Sequence, residues 1–226
     1  MAGGGSLISF PALLAVGYSS VSANVTNAVA VLPGYLGGSI GYRRELRGQR
    51  RRALVLAGTS AAGALAGAIL LLVSSESLFR GIVPFLILFS CALLAAQPLL
   101  ARVLPRPGHE RSLRLHVMDF GAAVYGGYFG AGLGIMLLAV LELCIDDELQ
   151  RLNALKGLLS LLIGAVAAVY FALFGPVKWP AALVMAAASL VGGQAGVGLA
   201  RRLDDRVLRA VVVAFGVAVA IILLLG

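Results

Sequence analysis

The stretch Leu115–Ile145, LHVMDFGAAVYGGYFGAGLGIMLLAVLELCI, decides how this chain folds. It is apolar almost throughout, too long for one simple membrane span and too short for two full ones. The middle reads Tyr125-Gly126-Gly127-Tyr128-Phe129-Gly130-Ala131-Gly132-Leu133-Gly134, and glycine at half of these positions breaks a helix. The reading is two short helical arms that meet in a glycine-rich turn inside the membrane. Lipid tolerates such backbone only where protein or a polar cavity covers it.

The rest of the chain supplies the membrane context. Of 226 residues, 60% are hydrophobic and 12% charged, with a mean hydropathy of +0.98. A soluble domain carries about 25% charged residues, so there is too little polar surface here for a water-exposed exterior. The expected fold class is all-α, a polytopic transmembrane protein. Five segments are long and apolar enough to span: Val21–Tyr42, Ala53–Val73, Gly81–Ala101, Gly157–Val177 and Trp179–Ala200, with Val207–Leu225 as a sixth. Met1–Val16 is apolar but short. Residues 1–42 carry no charge, so no basic signal-peptide region is present and insertion is expected to use the spans themselves. The net charge of +8 sits mainly in short Arg clusters between apolar segments. That pattern reads as cytoplasmic loops facing anionic lipid, not as a nucleic-acid surface. Cys91 and Cys144 lie in apolar runs without a metal or disulfide spacing.

Slid along itself until Gly3 falls on Gly132, the chain matches itself without a gap. At that one offset Gly5 falls on Gly134, Asn24 on Asn153, Ser60 on Ser189, Gly63 on Gly192, Gly67 on Gly196 and Arg80 on Arg209. One domain, 1–226, is expected, made of repeat one (1–98), a basic loop with an extra arm (99–130) and repeat two (131–226). If Leu115–Ile145 enters and leaves on one side, the inside loops hold fifteen Arg and the outside only Arg80 and Lys178. If it crosses once, the division is eleven against six. The first arrangement obeys the positive-inside rule better, and it inverts the two halves relative to each other. Inverted repeats with corresponding broken helices place a solute site near the midplane and permit alternating access.

At the glycine motifs the sequence resembles the sulfite exporter TauE/SafE family. The resemblance rests on Gly3-Gly4-Gly5-Ser6-Leu7-Ile8-Ser9-Phe10-Pro11 with Ala23-Asn24-Val25-Thr26-Asn27, and on Gly130-Ala131-Gly132-Leu133-Gly134 with Leu152-Asn153-Ala154-Leu155-Lys156. It covers nearly the whole chain, and it implies movement of small, often sulfur-containing anions such as sulfite or sulfonates across a prokaryotic plasma membrane. Three departures stand out. Family members usually have a helix before the first glycine motif, so the start is expected upstream of Met1 or the fold is trimmed. Val140 stands at the repeat position of Pro11, and Leu155-Lys156 at that of Thr26-Asn27.

The candidate solute-binding residues are Gly3, Gly4, Gly5, Ser6, Asn24, Thr26, Asn27, Gly130, Gly132, Gly134, Asn153 and Lys156. A helix that opens after a glycine turn presents unpaired N–H groups and a partial positive end to an anion. The polar side chains line a cavity, cap a helix or join two helices, and Lys156 attracts an anion or reaches to the interface. Asp119 and Glu142 are candidates for proton coupling, because acids at membrane depth mark proton relays. Gln194 could line the pathway, whereas Gly63, Gly67, Gly192 and Gly196 read as small-residue packing faces. No cofactor and no metal are expected. The expected partners are a small anionic solute and the lipid bilayer, with a homodimer left open. An intramembrane enzyme is disfavoured, since His109 and His116 form no HExxH-type pair. A non-transporting membrane scaffold is the alternative function.

Overall fold

A computed structural model of the chain describes the backbone of residues 5–41, 45–46, 48–103, 112–200 and 205–225, and the side chains of these except 37–41, 97–98, 100–103, 112, 191–200 and 205–209. The described residues fold into helices and no strands: α1 (Gly5–Ala15), α2 (Ser20–Gly41), α3 (Arg50–Val73), α4 (Glu76–Val103), α5 (Ser112–Tyr128), α6 (Leu133–Cys144), α7 (Leu149–Phe174), α8 (Trp179–Ala200) and α9 (Asp205–Leu225). By length and composition, Arg50–Val73, Glu76–Ala96 and Leu149–Phe174 are able to cross a membrane. Gly5–Ala15, Leu133–Cys144, Trp179–Leu190 and Ala210–Leu225 are shorter apolar helices.

The helix starts at Ser20, Arg50 and Glu76 recur at Leu149, Trp179 and Asp205, each at the offset that relates Gly3 to Gly132. Packing partners recur too. α2 lies on α8 as α7 lies on α3, and α1 lies on α9 as α6 lies on α4. α2 and α7 also cross each other, with the Tyr35 ring 3.5 Å from where a Cβ on Gly164 would stand.

The helices begin before several expected spans: α3 three residues before Ala53, α4 five before Gly81, and α7 by the largest margin. α7 begins at Leu149, two turns before the expected Gly157. Arg151, Asn153 and Lys156 lower the hydropathy of its first two turns, but Lys and Arg are good helix formers and leave the hydrogen-bond ladder intact. Lys156 therefore sits about 10 Å into the helix, at 1.5 Å per residue.

α5 and α6 are the two arms of the opening stretch. They form an antiparallel hairpin, with the Cys144 thiol of α6 donating to Met118 Sδ of α5 at 3.9 Å. Small residues seat this hairpin. A Cβ on Gly63 would lie 2.7 Å from the Phe120 carbonyl oxygen. One on Gly67 would overlap the Val124 carbonyl oxygen, and one on Gly127 the Ala64 carbonyl oxygen. So Gly63 and Gly67 are a packing face for α5, as the sequence suggests. Gly192 and Gly196 lie outside the residues whose side-chain surroundings are described.

Candidate functional site

The turn between α5 and α6 is built on two left-handed glycines, Gly130 (φ +78°) and Gly132 (φ +75°). An L side chain resists that conformation, so the glycines are a backbone requirement here. Gly132 is the N-cap residue of α6, and no side chain caps the helix; Gly134 is its second residue. The Leu133 N–H returns to the Gly130 carbonyl at 3.2 Å, closing the turn. A Cβ on Gly126 would stand 2.8 Å from both Leu133 Cδ2 and Ile163 Cγ2. Ile163 is close to the midpoint of α7 (Leu149–Phe174), so α6 opens beside the middle of a full-length span.

Two residues absent from the sequence-based candidates hold this turn. The Tyr125 hydroxyl donates to the Ala131 carbonyl at 2.6 Å. Ser90 of α4 lies 2.7 Å from that hydroxyl and 3.0 Å from the same carbonyl. Edge-to-face pairs Phe10–Phe129 and Phe89–Tyr125, at 5.5 and 5.6 Å, surround the triad. Tyr125 was visible in the glycine-rich stretch. Ser90 was not, because one serine in the apolar run of α4 carries no spacing signal, and its partners come from 35 and 41 residues away.

Residues of α1 and α2 converge on the same hairpin. The Asn24 side-chain amide donates to the Tyr128 carbonyl, the last residue of α5, at 2.9 Å. This satisfies a helix-end acceptor that α5 itself cannot. Asn24 is the fifth residue of α2, so it caps α5 from another helix and does not cap its own. The Ser9 hydroxyl reaches Asn27 Oδ1 at 2.5 Å and the Gly5 carbonyl at 2.9 Å. Ser6 is buried beside them on α1. Thr26 is used elsewhere: its hydroxyl oxygen accepts the Lys178 N–H at 3.0 Å and fastens the α7–α8 loop. Gly5 opens α1, while Gly3 and Gly4 lie outside the described residues, as does the side chain of Gln194.

On α7, Lys156 Nζ donates to Asn153 Oδ1 at 2.9 Å. Both side chains are half-buried on α7. The ion pairs among the described residues involve Asp147, with Arg52 at 2.7 Å and Arg151 at 2.8 Å, and not Lys156. Asp119 is fully buried, and the Ser60 hydroxyl lies 2.8 and 3.1 Å from its two carboxylate oxygens. Glu142 is half-buried near the end of α6, and no hydrogen bond joins it to Asp119.

Charged groups fix the two ends of the bundle. The Glu76 carboxylate at the start of α4 accepts the Ser20 N–H at 2.5 Å and the Val21 N–H at 3.1 Å, capping α2 from a neighbouring helix. At the α6–α7 loop, burial acts to raise the Asp147 pKa. The Glu148 N–H and the Arg52 and Arg151 guanidiniums outweigh it and hold the carboxyl below the usual Asp range.

Among the described residues no group of three or more His, Cys, Asp and Glu is placed to hold a metal ion, and Cys91 and Cys144 are buried free thiols. An apolar groove of about 360 Å³ lies between α3 and α7, lined by Leu65, Ala165, Val166, Val169, Tyr170 and Leu173. It touches none of the candidate residues.

Comparison with known proteins places this arrangement. The family model described as "Sulfite exporter TauE/SafE" matches residues 1–223. A Haemophilus influenzae protein named "Probable membrane transporter protein" is 29% identical over 221 residues, covering 94% of this chain and 84% of its own length. "Probable membrane transporter protein ORF9" of a Sinorhizobium species is 26% identical, covering 99% and 86%. "Probable membrane transporter protein YfcA" of Escherichia coli K12 is 29% identical, covering 94% and 79%. No solved structure gives a significant match.

Proposed function

Because the chain belongs to the sulfite exporter TauE/SafE family, we propose that it is a secondary membrane transporter of a small anion, sulfur-containing or organic, that works by alternating access as a multi-pass protein of a bacterial plasma membrane. One observation carries the substrate charge. α6 opens at the left-handed Gly132 with no side-chain cap, beside the middle of α7. The Leu133 and Ile135 N–H groups already meet the Gly130 and Gly132 carbonyls, so the attraction for an anion rests on the partial positive end of the α6 dipole, which no acidic side chain offsets in its first turn. The Lys156 ammonium, held by the neutral Asn153 amide, adds positive charge on the adjoining helix.

The mechanism draws support from the repeat. Helix starts recur at one constant offset, and the halves exchange packing partners, α2 with α8 matching α7 with α3. Such reciprocity is what a two-fold relation between halves produces, and the loop charges favour the inverted form of it. Two halves of similar energy can then trade conformations around a central site. Proton coupling falls to Asp119 before Glu142, because Asp119 is fully buried against α3 with Ser60 on its carboxylate.

Flux into proteoliposomes tests the reading, with sulfite, sulfoacetate and chloride under an imposed pH gradient. Uptake of at least one anion is expected, and Gly132→Leu should abolish it while the protein still inserts. A folded, inserted wild-type protein that moves none of the three refutes anion transport. Asp119→Asn is expected to retain downhill exchange but lose its response to the pH gradient.

A further inference from the structure

The face of α7 that bears Lys156 bears a second polar group. Ser160 stands one turn further along, 4% exposed, and its hydroxyl meets no hydrogen-bond partner among the described residues. Several other helix hydroxyls among the described residues have a local acceptor. Ser9, Ser74 and Ser90 have the carbonyl four residues back within hydrogen-bond distance, and Thr59 and Ser189 the one three back. That local bond is the default for a serine in an apolar helix. A buried hydroxyl that forgoes it carries its full desolvation penalty unless something else accepts its proton.

The position of Ser160 is informative. On a helix of 3.6 residues per turn, Lys156 and Ser160 are about 40° apart, with Cβ atoms about 5–6 Å from each other. On one flank of this stripe is Ile163, which meets the α5–α6 hairpin at Gly126 and Leu133. On the other is Gly164, which faces Tyr35 of α2. The stripe thus runs along the seam between the glycine turn and the crossing helix of the first repeat, at the middle of α7. One Lys156 N–H is spent on Asn153, and an ammonium has three.

We propose that Lys156 Nζ and Ser160 Oγ bind the transported solute together, and that the solute is an oxyanion with at least two oxygens on one centre. The ammonium supplies the charge and one donor. The hydroxyl supplies a second donor one turn deeper, so the oxyanion takes one oxygen to each. Asn153 is a positioning residue that aims the Lys156 side chain along the face. This rests on the anion-transport reading above and adds to it a residue and a ligand shape.

The test is initial uptake of sulfite, sulfate, sulfoacetate and chloride into proteoliposomes by wild-type protein and by Lys156→Gln, Lys156→Arg, Ser160→Ala and Ser160→Thr. For the oxyanion that wild type carries, Ser160→Ala should raise KM about tenfold or more, the worth of a hydrogen bond to a charged partner. Vmax should change less. Ser160→Thr, which keeps the hydroxyl, should stay close to wild type. Lys156→Gln should lose saturable uptake, and Lys156→Arg should retain part of it. If wild type carries an oxyanion and both Ser160→Ala and Lys156→Gln keep KM within about twofold, this inference falls and anion transport stands. Chloride uptake with no oxyanion uptake has the same consequence. If wild type carries none of the four, both readings fall. Removing an unpaired hydroxyl should leave the fold at least as stable, so a destabilised Ser160→Ala protein means the hydroxyl has a structural partner, and that also overturns the proposal.

Discussion

The α3–α5 interface makes a sharp prediction, because one helix contains the same substitution in two opposite settings. Gly58 and Gly67 both lie inside α3 (Arg50–Val73). A Cβ on Gly58 meets nothing within 4 Å, so Gly58→Ala gains only helix propensity, about 1 kcal/mol. A Cβ on Gly67 would overlap the Val124 carbonyl oxygen and stand 2.8 Å from the Tyr128 amide nitrogen, where ordinary contact begins at 3.4 Å. These are backbone atoms, which cannot rotate aside, so α5 has to retreat. A radial gap of roughly 0.5–1 Å forfeits a quarter to a half of each dispersion contact it opens, and overpacking of this kind costs about 1–3 kcal/mol. For a chain of about 150–250 residues, 1 kcal/mol is about 2–4 °C in Tm. Gly58→Ala should therefore melt about 2–4 °C above wild type, and Gly67→Ala about 2–12 °C below Gly58→Ala. The assay is helix melting in detergent, followed by circular dichroism, with both variants prepared alongside wild type. Equal midpoints would refute the close seating of the hairpin on α3.

Other expectations follow from single contacts. Ser90→Ala and Tyr125→Phe share the Ala131 carbonyl, so a double-mutant cycle in Tm should show coupling of about 0.5–3 kcal/mol; strict additivity would mean the triad does not act as a unit. Glu76→Gln keeps one of the two acceptor oxygens, turns the other into an NH2 that faces an N–H, and removes the negative charge from the start of α2; it should lower stability by at least about 0.3–1 kcal/mol at low ionic strength, with the charge-dependent part shrinking in high salt. Asp147 has a folded pKa below its unfolded value of about 3.9. Its stabilising contribution is therefore complete above that unfolded value and disappears as pH falls through the folded one. The Tm gap between wild type and Asp147→Asn should stay level from about pH 5 to 8 and close below about pH 4. A gap that widens on acidification would contradict the Arg52–Asp147–Arg151 cluster.

How much of this was legible beforehand can be judged residue by residue. The two arms and their break were readable because glycine lowers helix propensity locally and admits left-handed φ without a Cβ penalty, as Gly130 and Gly132 show. The packing role of Gly63 and Gly67 followed from their spacing of four, which sets them on one helix face. The start of α7 was misplaced because hydropathy tracks contact with lipid, whereas a helix ladder runs on through Arg151 and Lys156. Asn24 was read as lining a cavity, capping a helix or joining two helices, but which helix end it would cap could not be read, since the Tyr128 carbonyl is 104 residues away.

The sequence by itself determined the class of this molecule: helices of membrane length, a glycine break inside one apolar run and a second half whose glycines and asparagine echo the first. These are properties of composition and local spacing, and no distant contact is needed to produce them. Tertiary structure decided what the polar residues do. It spends Thr26 on a loop amide, Asn24 on the end of α5 and Ser60 on Asp119, and it leaves Lys156 with a neutral partner and Ser160 with none among the described residues. A buried polar group has to find its partner across space, and only the packing of α2, α5, α6 and α7 determines which groups meet.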